Sequence, residues 1–377
     1  MAQRRLVGGL SACAFTLGVV LLVLLGSCTP AEPIRIGFLG GVSGRVADLG
    51  IGGRNGAILA VDMRNQAGGI GGRKIELVAM DDQQDPEVAK RAVTDLIEKK
   101  VVAIVGPMTS AVAVATVPLV NQAQLLMISP TVTASALSGL DDYFLRVVAP
   151  TTEYARKSAN YHYQQQGSRR VAVALDLRNQ AYTQSWLQDY RVAFEAAGGV
   201  IAAVLPFNSS DETRFSELAG QLLRGRPDGV LILANSVDAA LLIQHLRKRY
   251  AGVRIYTSEW AATERLSELG GKAVEGVVAP QFIDRESQQP AYLAFRKAYV
   301  ERFGQDPGFA GLTAFDATNV VLEALAAQTP GQSLKQVVLA RRDYAGAQSP
   351  IRLDANGDSA RETYMTTVRD GVFQRLR

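Results

Sequence analysis

The chain has 377 residues, with 40 basic against 36 acidic side chains, a formal charge of +4, two cysteines and two histidines. Basic residues are interspersed with acids, and the densest run, Arg247-Lys248-Arg249, reads as a solvated helix face, so a nucleic-acid partner is excluded. His162 and His245 lie far apart in predicted helices, which leaves no metal cluster, and no cofactor is expected.

Arg4 and Arg5 form a short basic start, Leu17–Leu25 is almost unbroken apolar sequence, and Leu25-Gly26-Ser27-Cys28 follows. That order is the pattern of a secretory signal, and the run falls short of the about 20 residues that span a bilayer. The four-residue tail resembles the bacterial lipobox. It implies cleavage after residue 27, lipidation of Cys28 and an extracytoplasmic protein, periplasmic or cell-surface, tethered to a membrane. Cys13 leaves with the signal, so the mature chain holds no disulfide. The remaining 350 residues exceed what one core usually serves, and two lobes are expected.

Short apolar β-like runs then alternate with helical patterns, the mark of parallel α/β sheets. Ile34–Leu39 is a strand, Gly56–Gln66 a helix and Lys74–Met80 a strand. Asp85-Pro86 opens a helix with proline in its first turn and Val88, Ala92 and Leu96 on its buried face. Strand Val101–Val105, helix Ser110–Gln122 and strand Leu125–Ser129 follow. After Pro150 a second series begins. Its strands are Val171–Leu175, Val200–Leu205, Gly229–Leu233, Arg254–Tyr256 and Val274–Ala279. Its helices are Glu153–Gln165, Thr183–Ala197, Glu212–Leu223 and Ala239–Arg249. Helices Pro290–Phe303 and Gly311–Gln328 come next. A hairpin, Thr363–Arg369 with Val372–Leu376, turns at Asp370-Gly371.

Ile36-Gly37 with Ser43-Gly44, Gly68-Gly69-Ile70-Gly71-Gly72, Asp81-Asp82 with Asp85-Pro86, Gly106-Pro107, Ile128-Ser129-Pro130 with Thr133, and Asp354-Gly357-Asp358 occur in this order. In that order they resemble the leucine/isoleucine/valine-binding proteins, over Ile34 to Leu376. The resemblance implies a type I periplasmic binding fold: two Rossmann-like lobes with parallel-sheet cores joined by a three-segment hinge. Crossings are expected near Arg146–Pro150, Ala279–Phe282 and Ser349–Leu353. Lobe one is then 33–149 plus 282–349, and lobe two 150–281 plus 350–377. Some members carry a lobe-one disulfide at positions matched here by Gln84 and Thr109, so that bridge is absent.

A free amino acid is a zwitterion, and burying either charge without a partner is costly. Ser110 starts an expected helix whose first-turn N–H groups suit a carboxylate, although it reads equally as a cap. The resemblance puts the carboxylate there and adds Thr131 and Thr133 beyond the next strand. It also assigns the ammonium to Glu259. Tyr182, Leu49, Asn235, Phe315 and Thr109 match wall positions, with Trp260 a possible neighbour. Leu49 and Asn235 stand where relatives have tyrosines, which points to a roomier or more polar pocket than leucine needs.

The implied function is solute binding for an ABC importer: an amino-acid-like ligand is held in a cleft that closes, and the permease subunits read the closed form. A sensory lipoprotein, or a binder of aromatic or short carboxylates or amides, is the alternative. Enzymatic readings fail on the motifs. Gly37-Phe38-Leu39-Gly40-Gly41 lacks dinucleotide-binding glycine spacing, and no Gly-x-Ser-x-Gly elbow occurs.

Overall fold

The computed structural model describes residues 31–210 and 212–376; the expected signal segment and Cys28 lie outside these. Strands β1 (Ile34–Gly40), β2 (Ile75–Asp81), β3 (Ala103–Val105), β4 (Leu126–Ser129) and β5 (Phe144–Arg146) pair in parallel in the order β2-β1-β3-β4-β5. Parallel strands need crossovers, and helices α1 (Ala47–Gln66), α2 (Pro86–Glu98) and α3 (Ser110–Ala123) supply them on the sheet's faces. Inner strands are therefore apolar throughout: Ala103, Ile104 and Val105 are all fully buried. Asp85 caps α2 as expected, its carboxylate accepting from the N–H groups of Glu87 and Val88.

The second sheet runs β15-β14-β10-β9-β8-β6-β7. β6 (Arg170–Asp176), β7 (Val200–Phe207), β8 (Gly229–Leu233), β9 (Arg254–Thr257) and β10 (Val278–Gln281) are parallel. Hairpin β14 (Tyr364–Arg369) and β15 (Val372–Arg375) adds antiparallel to β10. Asp370 and Gly371 turn it with φ of 51° and 74°, the left-handed pair that a tight hairpin requires. Helices α4 (Thr151–Gln164), α5 (Gln180–Ala196), α6 (Phe215–Leu223), α7 (Ser236–Arg249) and α8 (Glu264–Gly270) accompany this sheet.

Three differences from expectation have physical causes. First, α1 begins at Ala47 rather than Gly56. Its glycines permit close approach and do not mark a turn: a Cβ on Gly50 would lie 2.0 Å from the Gly41 carbonyl oxygen, and one on Gly56 2.1 Å from that of Gly311. Second, helix α9 (Pro290–Phe303) and the apolar α10 (Phe309–Ala327) return to pack on α1, but α11 (Leu334–Arg341) was not foreseen. Its signal was present, because Ser333 and Gln336 form a reciprocal capping box. Third, Ser349–Leu353, where a crossing is expected, contains a short strand that the sequence reading did not include. β11 (Asp343–Tyr344), β12 (Ile351–Leu353) and β13 (Ser359–Ala360) make a small antiparallel sheet. The Arg146 N–H then donates to the Gly357 carbonyl at 3.0 Å, and the chain joins the second sheet only at Tyr364.

Buried ion pairs brace these crossings. Arg146, at the end of β5, pairs with Asp358 at 2.6 Å. Asp316 of α10 pairs with Arg361, each side chain 1% exposed.

Candidate functional site

The C-terminal ends of β1, β3 and β4 face those of β6 and β9 across the interlobe gap, where open α/β sheets bind ligands. From the first lobe come Leu49, Thr109, Ser110 and Thr131; from the second come Tyr182 and Glu259. All six were expected, and they converge on one cavity. Its room is small, about 20 Å³ for the centres of water-sized spheres.

On the first-lobe side, Thr109 is the N-cap of α3 and Ser110 its first residue. Ser110 is therefore not the cap; its Oγ accepts from the Ala134 N–H at 3.3 Å. The Thr109 Oγ1 is buried and has no hydrogen-bond partner among the described residues. Thr131 donates its hydroxyl to the Met108 carbonyl at 2.7 Å, which fixes the loop after β4. Asn179 reaches over from the second lobe, and its Oδ1 accepts from the first-turn Ala111 N–H at 3.0 Å. Sequence reading missed Asn179, since it stands in the short turn between β6 and α5 and carries no motif.

Opposite lies Glu259, in the turn directly after β9. Its Oε2 accepts from the Trp186 indole N–H at 3.0 Å. Its Oε1 and the Tyr182 hydroxyl are buried without an aligned partner among the described residues, as is the hydroxyl of Ser258. Burial pushes the Glu259 carboxyl up to about 7, against the lowering effect of nearby N–H and O–H donors. Tyr182 is driven well above its ordinary range by burial and by Glu259 beside it. Trp260 meets Tyr182 edge to face with ring centres 5.6 Å apart. With Phe282 and Phe309 these rings make the apolar part of the wall.

Three expected residues do not line the cavity. Thr133 is buried beside Ser110, its carbonyl accepting from the Thr151 N–H at 2.7 Å and its hydroxyl without a partner among the described residues. Asn235 is the N-cap of α7; its side chain is spent on the Asp238 N–H, the Asp238 carboxylate and Ser209. Phe315 packs on Phe295 of α9 with centroids 4.8 Å apart. At about 100° per residue, six positions turn it to another side of α10 from Phe309, which takes the wall place instead.

Polar contacts join the two halves at the cleft mouth. The Asp48 carboxylate accepts from Ser236 Oγ at 2.7 Å and Thr263 Oγ1 at 2.6 Å. Arg45 pairs with the fully buried Asp238 at 2.6 Å and donates to the Ser210 carbonyl at 2.9 Å. A wider groove of about 460 Å³ lies outside Asp48 and Phe309. The smaller cavity is the better site, because three buried polar atoms without an aligned partner, on Thr109, Tyr182 and Glu259, meet there from both lobes. Arg45→Ala removes a charged contact between the two halves, so a ligand held between them should bind roughly tenfold more weakly. Isothermal titration at low and high salt checks this.

A family model described as periplasmic binding protein matches residues 33–371. The leucine-, isoleucine-, valine-, threonine-, and alanine-binding protein of Pseudomonas aeruginosa is 24% identical over 299 residues, 78% of each chain. The branched-chain amino acid transporter substrate binding protein of Streptococcus pneumoniae, solved with isoleucine, superposes with a TM-score of 0.84 at 23% identity. That match covers 91% of this chain and 99% of the other. A solute binding protein from R. palustris, solved with benzoate, gives 0.83 at 19% identity, over 91% and 95% of the two chains.

Proposed function

The chain belongs to the periplasmic binding protein family, and on that premise we propose that it is a solute-binding lipoprotein of an ABC importer, holding an amino acid or a close analogue between its lobes. The observation that carries this reading is the set of buried polar atoms without an aligned hydrogen bond at one cavity: Thr109 Oγ1 beside the start of α3, and Glu259 Oε1 and Tyr182 Oη opposite. Buried polar groups in folded proteins are nearly always satisfied, so a clustered exception calls for a ligand. Helix-end N–H groups and a hydroxyl suit a carboxylate, and a dry glutamate suits an ammonium. The lobes, divided near residues 150, 282 and 361, close on the ligand, and the contacts of Arg45 and Asp48 add to the closed form. A thermal-shift screen of amino acids against plain carboxylates tests the ligand class. Stabilisation by carboxylates alone would overturn the amino-acid reading.

A plain aromatic carboxylate is the second reading, favoured by the ring-rich wall of Tyr182, Trp260, Phe282 and Phe309. The two readings differ in pH dependence. A cationic ligand needs Glu259 ionised, so binding must expel its proton below about 7. Affinity for an amino acid should then fall as pH drops from 7 to 5 and level off above 7. Affinity for a neutral-ended carboxylate should not fall in that window. Titration calorimetry in buffers of different ionisation heat counts the released proton.

We propose further that Cys28 carries the lipid anchor and that the permease subunits receive the closed form. Cys28→Ala should move the protein from the membrane fraction to the soluble extracytoplasmic fraction, which immunoblotting of fractionated cells reads directly. A single acyl chain binds membranes only marginally, so stable anchoring requires more than one chain on that residue.

A further inference from the structure

Glu259 has two oxygens with different fates. Oε2 is held by the Trp186 indole N–H at 3.0 Å, while Oε1 has no aligned partner among the described residues. Trp186 does not line the cavity. It is completely buried, and its ring is fixed from behind. Trp186, Tyr190 and Phe194 stand four residues apart on one face of α5. Their rings stack with centroids 5.4 and 5.2 Å apart, each pair inclined by 19°. The Tyr190 hydroxyl meets His162 Nδ1 at 3.0 Å. His162 in turn stacks on Tyr256 at 3.7 Å, and Tyr256 lies on β9, the strand that delivers Glu259. Burial holds His162 neutral, its pKa lowered to about 3, so the column brings no charge of its own.

We propose that Trp186 is a positioning residue: its indole N–H occupies Oε2, aims Oε1 at the cavity and favours the charged carboxylate, and so sets the site's preference for an ammonium over a neutral group. This rests on the amino-acid reading above and adds to it a residue outside the cavity that decides ligand class. The other titratable groups facing Glu259 are Tyr182 of α5 and Tyr154 of α4, both raised by burial and by Glu259 itself, hence neutral phenols at ordinary pH. The indole is thus a fixed donor that cannot titrate away, and its removal leaves a buried carboxylate oxygen unpaired.

Trp186→Phe keeps a ring on Tyr190 and deletes the donor together with part of the ring volume. The first measurement uses ligand-free protein with ¹³C-labelled glutamate, the Glu259 signal being identified by its loss in Glu259→Gln. The carboxyl titration midpoint should rise by roughly one pH unit in Trp186→Phe. The second compares leucine with 4-methylpentanoate, the same skeleton without the ammonium. Trp186→Phe should weaken leucine by about tenfold and leave 4-methylpentanoate unchanged. An unmoved midpoint, or an equal loss for both ligands, overturns the proposal and makes Trp186 a packing residue. If leucine does not bind the unaltered protein, the amino acid found by the thermal-shift screen and its deaminated analogue take the place of this pair; if no amino acid binds, the amino-acid reading fails, while the titration still decides the role of Trp186. Should the phenylalanine variant fold poorly, benzothienylalanine at position 186 keeps the ring size and replaces N–H by sulfur.

Discussion

Glu259→Gln should lower amino-acid affinity by ten- to a hundredfold and, in the same protein, raise the stability of the ligand-free form at pH 8. Both effects come from one buried carboxyl. A hydrogen bond to a charged group contributes about 1.5–3 kcal/mol, and glutamine keeps the shape of the side chain without the charge. Factors of that size follow at about 1.4 kcal/mol per tenfold. The stability gain has the opposite sign for a clear reason. Burial raises the folded pKa from 4.5 to about 7, so the folded state holds its proton more tightly than the unfolded chain. That contribution is fully present below pH 4.5 and is lost as pH rises through 7. At pH 8 the folded protein therefore carries an ionised carboxylate at a cost on the order of 3 kcal/mol, because each tenfold weakening of the acid corresponds to about 1.36 kcal/mol. Glutamine removes that cost. Calorimetric binding at pH 7.5, paired with urea melts at pH 5 and pH 8, measures both. Equal stability of the two proteins at both pH values would remove the buried-charge account. The ligand's ammonium is the group that would make the same carboxylate favourable, which is why strain in the ligand-free cleft and affinity for a cation share an origin.

The second large effect concerns the last crossing. Arg361→Ala should destabilise the protein by about 3–5 kcal/mol, because it leaves Asp316 buried with its charge uncompensated. Arg361 also donates to Ser349 Oγ at 3.3 Å, and Asp316 accepts from the Ala347 N–H at 2.7 Å. One salt bridge thus gathers α10, the loop before β12 and the segment entering β14. Asp316 sits above the ordinary carboxylate range because of burial, opposed by Arg361. Replacing both partners by apolar residues, as in Asp316→Leu with Arg361→Met, should recover much of the loss, since no unpaired charge then remains. Urea denaturation of the two single variants and the double one gives the coupling directly. A loss no larger than for an exposed pair, such as Arg214 with Glu217, would show that the pair does not brace the crossing.

Much of the architecture was legible in the residues. Apolar runs such as Ile34–Leu39, Val101–Val105 and Gly229–Leu233 each hold a strand of a largely buried sheet. Asp85-Pro86 could only open a helix, and Asp370-Gly371 could only turn a hairpin. These signals are local, set by backbone sterics and by the period of hydrophobicity. Glu259, Tyr182, Ser110 and Thr131, which the resemblance named as ligand contacts, line one cavity.

What escaped was decided by contacts between segments distant in the chain. The helix was expected to start only at Gly56, and the close approach of the Gly41 and Gly311 backbone to Gly50 and Gly56 explains the glycines inside it. Phe309 and Phe315 are equivalent on paper, and only the phase of α10 against α1 and α9 chooses which ring faces the cleft. Asn235 has the composition of a ligand contact, but Asp238 and Ser209 claim it once α7 is capped. Trp186 lies far from Glu259 in sequence, and nothing in either neighbourhood foretells their bond. Sequence determined the elements and which strand ends could bear a site, because propensity and patterning act over a few residues. Tertiary structure decided which polar atoms were left unsatisfied, because only packing removes water from some groups while giving others a partner.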